Sequence, residues 1–342
     1  MADQTAKAVY LPRHTLLTQL RFAIRIRLNK FLAAVYLRIM GFPGIRNPSI
    51  QPNFTKTYPC RPKLDNRIFI PKSYKSGDPP MPLYLSIHGG GFALASPRID
   101  DTFCSNFSDK NKVLVVSLDY PKSPNNKFPR PTEAIVDLVH AVLGDESLPF
   151  DPTKVAMGGF SAGANLSLSV SQHKSLRGKI SGVVSYYPPA DFSYPIDKSI
   201  EERPEEAPPD MLAGMADMFN WAYIRPDQDL KDPLLSPVFA AKENLPPKIF
   251  IIGCEYDMLC RNAKVMAENF ANARGDGKRM GKDDAWEKNG IKWELILGEE
   301  HAFDMVLGRG EAIKARRQRR RIEMYDGAAE WLFREVWMTG TA

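Results

Sequence analysis

Residues Val155 to Gln172, VAMGGFSAGANLSLSVSQ, set a serine between two close glycines at the point where an apolar strand should give way to a helix. The centre of this stretch, Gly159-Phe160-Ser161-Ala162-Gly163, has the G-x-S-x-G form of a nucleophile elbow. There the glycines let the backbone turn so sharply that the serine hydroxyl stands clear of both flanking elements. The pattern alone is cheap. With Gly and Ser each near 7% of residues, a chance match arises in about one chain in ten of this length. The remaining sequence must therefore supply a base, an acid and donors for a developing oxyanion.

With 342 residues and 44% of them apolar, the chain can bury a large core, which suits one α/β domain with an added lid. Cys60, Cys104, Cys254 and Cys260 show no C-x-x-C spacing and no pairing with histidine. Neither a zinc site nor a disulfide scaffold is expected, and a reducing, cytoplasmic setting fits. No run approaches the roughly 20 apolar residues of a membrane span, and Arg21, Arg25, Arg27 and Lys30 interrupt the one candidate signal-peptide core. The net charge of +6 is unevenly spread: residues 1 to 64 carry +10 and the rest −4. The basic bias belongs to an N-terminal arm and is no sign of nucleic-acid binding.

Within that arm Leu17, Leu20, Ile24, Leu28, Phe31 and Val35 recur at steps of three and four. This spacing predicts an amphipathic helix over Leu16 to Met40, ending at Gly41-Phe42-Pro43-Gly44. One reading packs the helix on the body or lid. The other lays it on an anionic membrane surface, the arginines beside the stripe meeting the headgroups. After a proline-rich connection over 46–62, strands are expected at Arg67 to Pro71, Leu83 to Ile87, Val113 to Leu118, Lys154 to Gly158, Ile180 to Tyr186, Lys248 to Gly253 and Ile291 to Leu297. Helices are expected at Glu133 to Leu143 and Asn165 to His173, and the alternation implies a parallel sheet covered on both faces. Ser193 to Leu235 interrupts it with Met211, Leu212, Met215, Met218, Phe219, Trp221 and Tyr223, a helix able to close over an apolar pocket or simply to join the core. Arg274 to Asn289, charged and glycine-rich, reads as an exposed loop. Lys314 to Arg321, KARRQRRR, holds six basic residues in eight and reads as a solvated helix face, with nuclear import or anionic-lipid contact as alternatives.

A serine hydroxyl needs an imidazole within hydrogen-bond reach and a carboxylate to fix its tautomer. His14 lies in the arm, His140 and His173 on expected helices, and His88 before three glycines, Gly89-Gly90-Gly91. His301 follows a late strand and the link Gly298-Glu299-Glu300, at the carboxyl edge where open α/β sheets place their sites. It is the expected base. Asp257 follows the strand Lys248 to Gly253 at the same edge and is the expected acid, with Glu255 as competitor. Three glycines after a buried strand let main-chain amides approach a substrate oxygen unobstructed.

In these residues the chain resembles the hormone-sensitive-lipase-like family of α/β-hydrolases, whose relatives include arylacetamide deacetylase and plant carboxylesterases. The resemblance rests on His88-Gly89-Gly90-Gly91-Phe92, Asp119-Tyr120-Pro121 with Phe128-Pro129, the elbow, Asp232-Pro233-Leu234-Leu235-Ser236-Pro237 and His301-Ala302-Phe303, in the family's order. It implies an α/β-hydrolase fold, a Ser161, Asp257, His301 triad, oxyanion donors at the Gly90, Gly91 and Ala162 amides, and His88 with Gly89 supporting that loop. The expected division is a basic arm over 1–62 contributing to the lid, and a catalytic domain over 63–342 with a lid insertion at 193–235. The chain departs from the family after Asp257, where downstream charges that support the acid loop are missing. It departs again at Phe160, where the family carries an acid and a bulky side chain could shape the site.

The implied activity is hydrolysis of carboxylic esters of short to medium acyl or aromatic type, deacetylation included, without cofactor or metal. An acyltransferase or lyase with the same triad, or a non-catalytic ligand-binding relative, is the alternative, and the presence of His301 argues against the last. The expected partner is a small-molecule ester. Peripheral contact of residues 16–40 with an intracellular membrane and a homodimer stay open.

Overall fold

Apolar, β-branched runs become strands that are buried on both faces, and the computed structural model describes them within residues 8–40, 50–306 and 308–338. The strands are β1 (Phe54–Tyr58), β2 (Arg61–Phe69), β3 (Met81–Ile87), β4 (Leu114–Leu118), β5 (Phe150–Phe160), β6 (Gly182–Tyr186), β7 (Lys248–Cys254), β8 (Met280–Gly281), β9 (Ala285–Lys288) and β10 (Ile291–Ile296). They form one sheet in the order β1-β2-β4-β3-β5-β6-β7-β10-β9-β8. The six central strands from β4 to β10 run parallel, and antiparallel strands close both edges.

The helices are α1 (Leu16–Met40), α2 (Asp101–Asn111), α3 (Arg130–Leu143), α4 (Ala162–Ser171), α5 (Ile196–Glu201), α6 (Ala216–Tyr223), α7 (Cys260–Ala273) and α8 (Glu311–Leu332). Alternation along each strand sorts the core into two layers. Leu83, Leu85 and Ile87 of β3 pack with α3, α4 and α7 on one face. Tyr84 packs with α2 and α8 on the other. The molecule is thus an α/β sandwich of the α/β-hydrolase type, as the sequence led us to expect.

Several elements differ from the sequence reading. The hairpin strand β1 lies inside the expected connection 46–62 and pairs with β2, so the boundary at residue 62 cuts through a hairpin. Its exposed, alternating FTKTY gave no buried run to detect. The expected loop 274–289 contains β8 and β9, which extend the sheet beyond β10. The helix expected from Met211 starts only at Ala216, turns occupying the residues before it.

The helix α1 has the predicted bounds, while its expected terminator at 41–44 lies outside the described residues. It packs on the lid segment, as the first of the two readings has it, but by a different face from the expected stripe. Ile26 is fully buried against Met218, Phe219 and Ala222 of α6, with Phe22 beside it. The stripe Leu17, Leu20, Ile24, Leu28 and Phe31 faces solvent. α1 has apolar residues on both sides, and the sequence periodicity marked the longer stripe, which is not the one that packs.

Candidate active site

Four parallel strands bring the expected residues to one edge. β3 ends at Ile87, beside Gly159 of β5, and leads into His88 and the glycines. β7 and β10 are paired through Cys254 and Ile296, so the loops to Asp257 and His301 leave the sheet together. In a parallel sheet, adjacent carboxyl ends place residues remote in sequence side by side.

At the elbow β5 stops at Phe160 and α4 starts at Ala162. Between them Ser161 has φ 52° and ψ −116°, a left-handed strain that L-residues hold only under constraint. The turn depends on glycine two positions to either side, since a Cβ on Gly163 or Gly159 would fall 2.0 or 2.3 Å from the Ile87 carbonyl oxygen. The Ser161 amide donates to the Tyr186 carbonyl at 2.9 Å. This fixes the serine against the next strand.

His301 Nε2 lies 2.9 Å from Ser161 Oγ, and its Nδ1 lies 2.6 Å from Asp257 Oδ2. With Nδ1–H donating to the carboxylate, Nε2 is left free to accept from the hydroxyl. Asp257 is buried, and its other oxygen accepts the Leu259 amide at 2.9 Å. Burial by itself would lower the His301 pKa, but the charge and hydrogen bond of Asp257, with Asp210 and Asp304 farther off, raise it above the ordinary imidazole value. Glu255, the competing acid, instead accepts the Gly298 amide at 2.6 Å.

The glycine loop lies opposite. Among the described residues no hydrogen bond engages the Gly90, Gly91 or Ala162 amides, and the last is an unsatisfied first-turn donor of α4. Gly91 has φ 57°, and a Cβ there would strike the Phe219 ring of α6 at 2.5 Å. Phe92 stacks on Tyr223 with centroids 3.7 Å apart. The segment 193–235 thus covers this loop with aromatic side chains. His88 is wholly buried, stacks on Tyr120 at 4.4 Å and has its Nδ1 2.7 Å from the Gly89 carbonyl. Burial, then the nearby Lys122 ammonium, lower its pKa to about 4, so it is neutral near pH 7.

Sequence reasoning missed the supports of these loops. The acid loop, lacking the family's downstream charges, is held from the 193–235 segment: Asp210 accepts the Met258 amide at 2.9 Å, and Arg203 Nε donates to the Tyr256 carbonyl at 2.9 Å. On the base side Asp304 accepts from Tyr187 and Tyr325 hydroxyls at 2.7 and 2.6 Å, and the Tyr187 ring meets His301 edge-on at 5.0 Å.

Part of the basic run 314–321 belongs here as well: Lys314 and Arg319 are exposed, as a solvated face would have them, but Arg316, Arg317 and Arg320 turn to the base loop. Glu299 is fully buried in the loop carrying His301. Its carboxylate accepts from Arg316 Nε and Arg317 Nε at 3.0 Å each, with Arg320 at 3.4 Å. Arg317, itself buried, also donates to Glu300 and to the Val306 carbonyl. A carboxylate taken out of water needs such partners. The only sequence signal was the Glu-Glu preceding His301. Phe160 is a second correction: it is buried beneath the elbow, stacked on Tyr186 at 4.6 Å and edge-on to Phe103 at 4.9 Å, and does not shape the site.

An open groove of about 1400 Å³ between α2 and α8 contains none of Ser161, Asp257 and His301. Among the described residues no cluster of His, Cys, Asp or Glu has the makings of a metal site.

The strained serine, the imidazole and the carboxylate at the carboxyl edge of a mostly parallel sheet define a molecule of the α/β-hydrolase class. A sequence model of the family described as the alpha/beta hydrolase fold matches residues 84–280, and the chain belongs to that family, in its hormone-sensitive-lipase-like branch. An esterase of Acinetobacter venetianus is 27% identical over 179 residues, 52% of this chain and 57% of that protein. An AB hydrolase superfamily protein of Schizosaccharomyces pombe is 25% identical over 229 residues, 61% and 63% of the two chains. The chain thus spans less than two thirds of the length of these relatives. Among solved structures, a thermophilic carboxylesterase cloned from a metagenomic library superposes with a TM-score of 0.70 at 22% identity, over 92% of this chain and 97% of that one. An esterase of the archaeon Pyrobaculum calidifontis gives 0.68 at 22% identity, over 94% and 98%. At these identities the likeness establishes the fold.

Proposed function

We propose that this protein hydrolyses carboxylic esters through an acyl-enzyme on Ser161. The observation that carries the reading is the continuous chain from Ser161 Oγ through both ring nitrogens of His301 to Asp257, with contacts of 2.9 and 2.6 Å. His301 Nε2 takes the hydroxyl proton as Oγ attacks the ester carbonyl, and Asp257 stabilises the imidazolium that forms. The Gly90, Gly91 and Ala162 amides receive the oxyanion, each removed donor costing about 100-fold or more in rate. His301 then protonates the departing alcohol, and a water activated by the same nitrogen releases the acid.

His88, neutral and stacked, supports the glycine loop as a positioning residue. The aromatic cover from Phe219, Phe92 and Tyr223 favours apolar or aromatic esters of short to medium acyl length, and the names of the relatives, esterase and carboxylesterase, support ester hydrolysis in general. No cofactor takes part in this scheme. Ser161→Ala in the full chain is the direct test. Turnover of a p-nitrophenyl short-chain ester should fall by at least about 1000-fold, with unchanged thermal unfolding. Hydrolysis at the parent rate would remove Ser161 from the reaction.

A further inference from the structure

α1 presents two faces of opposite fate. Its inner face is fastened to the lid region: Ile26 and Phe22 enter the cluster with Met218, Phe219 and Ala222, and the Lys30 ammonium donates to the Ser123 carbonyl. Its outer face carries Leu17 at 58% exposure, Leu20 and Ile24 at 55%, Leu28 at 53% and Phe31 at 64%. These side chains lie three or four positions apart and so form one ridge along the helix. Scattered exposed apolar residues are ordinary, whereas a continuous ridge marks a contact surface.

The flanks of the ridge identify the occupant. Arg21 and Arg25 lie along one side and Arg27 and Arg38 along the other, and the 25 residues of the helix include no Asp or Glu. Arg25 reaches back to the Gly214 carbonyl. Arg21, Arg27 and Arg38 have no carboxylate partner among the described residues. Pairing this ridge with that of a second copy would set cations against cations with no acid between them. An anionic lipid surface matches it, with acyl chains against the leucines and phosphates or carboxylates against both arginine rows. At about 1.5 Å per residue the helix extends about 37 Å and would lie in the surface plane. None of the described helices is long and apolar enough to cross a membrane.

We propose that α1 docks the protein on an anionic membrane by its Leu17 to Phe31 ridge, with the body held on the aqueous side by α6. Phe219 of α6 bears on both Ile26 and the glycine loop, so docking brings the lid region to the bilayer. Resting on the ester-hydrolase reading, this assigns as substrates apolar esters dissolved in that bilayer.

The test floats the full chain with vesicles of phosphatidylcholine alone or mixed with phosphatidylserine. The parent should float with the mixed vesicles, less at high salt and little with phosphatidylcholine alone. Ile24→Glu with Phe31→Glu should weaken partitioning about 100-fold, by removing two inserted side chains and adding charge of the wrong sign. Arg21→Glu with Arg27→Glu should weaken it about tenfold or more. Neither pair touches the site, so turnover of a water-soluble short-chain ester should stay at the parent value while turnover of a vesicle-borne ester falls with the partitioning. A parent that does not float with anionic vesicles overturns the docking, as do variants that float equally well. So does a parent that is dimeric without lipid and becomes monomeric on Ile24→Glu. Failure of the ester-hydrolase reading would be visible separately, as a parent that cleaves neither ester whatever its flotation.

Discussion

The helices α1 and α8 look alike in charge, with five cations over residues 16–40 and six over 314–321, yet their arginines meet different surroundings. Arg316, Arg317 and Arg320 of α8 close around the buried Glu299 in the loop that carries His301. Those of α1 point to solvent or to backbone carbonyls. A basic run therefore has no fixed meaning. Its role depends on whether the fold delivers a carboxylate to it: Glu299 arrives from the end of β10, while among the described residues no carboxylate pairs with the outer arginines of α1. The difference is also energetic, since a buried ion pair leaves an uncompensated charge when one partner is removed and an exposed cation does not.

The widest separation between the two helices should appear in stability. Arg317→Ala, which leaves the Glu299 carboxylate short of a buried partner, should lower unfolding free energy by about 3–5 kcal/mol. Arg27→Ala should change it by no more than about 0.5 kcal/mol. Urea unfolding of both variants decides the matter, and equal losses would erase the distinction between the runs. A smaller contrast lies within α1. Ile26→Ala on the buried face should cost roughly 2 kcal/mol or more through lost burial and the cavity left, whereas Ile24→Ala on the outer face should stay within about 0.5 kcal/mol. Were the two costs reversed, the helix would be packed by the other stripe.

The smallest effect is a displacement in pH. His301 must be neutral to accept the Ser161 proton, so activity falls as pH drops through its pKa, which Asp257 raises. The acid limb of kcat/KM for a soluble ester should thus lie above the ordinary imidazole value of about 6.5. Arg21→Glu with Arg27→Glu should leave that limb where it is, because α1 does not contact the imidazole. An acid limb at or below pH 6.5 in the parent would contradict the Asp257–His301 coupling.

The elbow, the glycine loop and the central strands were legible in the sequence because their causes are local. Ser161 needs glycines two positions either side, and VLVVSL is an apolar β-branched run of the kind found in strands buried on both faces. What escaped notice had distant causes. β1 and β9 carry polar, half-exposed residues and exist because β2 and β10 offer them edges. Phe160 is drawn inward by Tyr186 and Phe103. Asp210, from a segment that reads only as acidic and proline-rich, holds the acid loop through Met258.

The sequence by itself determined which chemical groups this protein has and the order in which they come: a serine in a sharp turn, amides freed by glycine, an acid and an imidazole each following a strand. Adjacency in a parallel sheet decided that residues 161, 257 and 301 meet, since strand order is a property of the whole packed chain. It was likewise tertiary packing that buried Ile26 rather than Ile24, and gave three arginines of one basic run a buried carboxylate while leaving the outer arginines of the other in solvent. Burial and charge compensation depend on what arrives from elsewhere in the chain, and a stretch read alone carries no record of that.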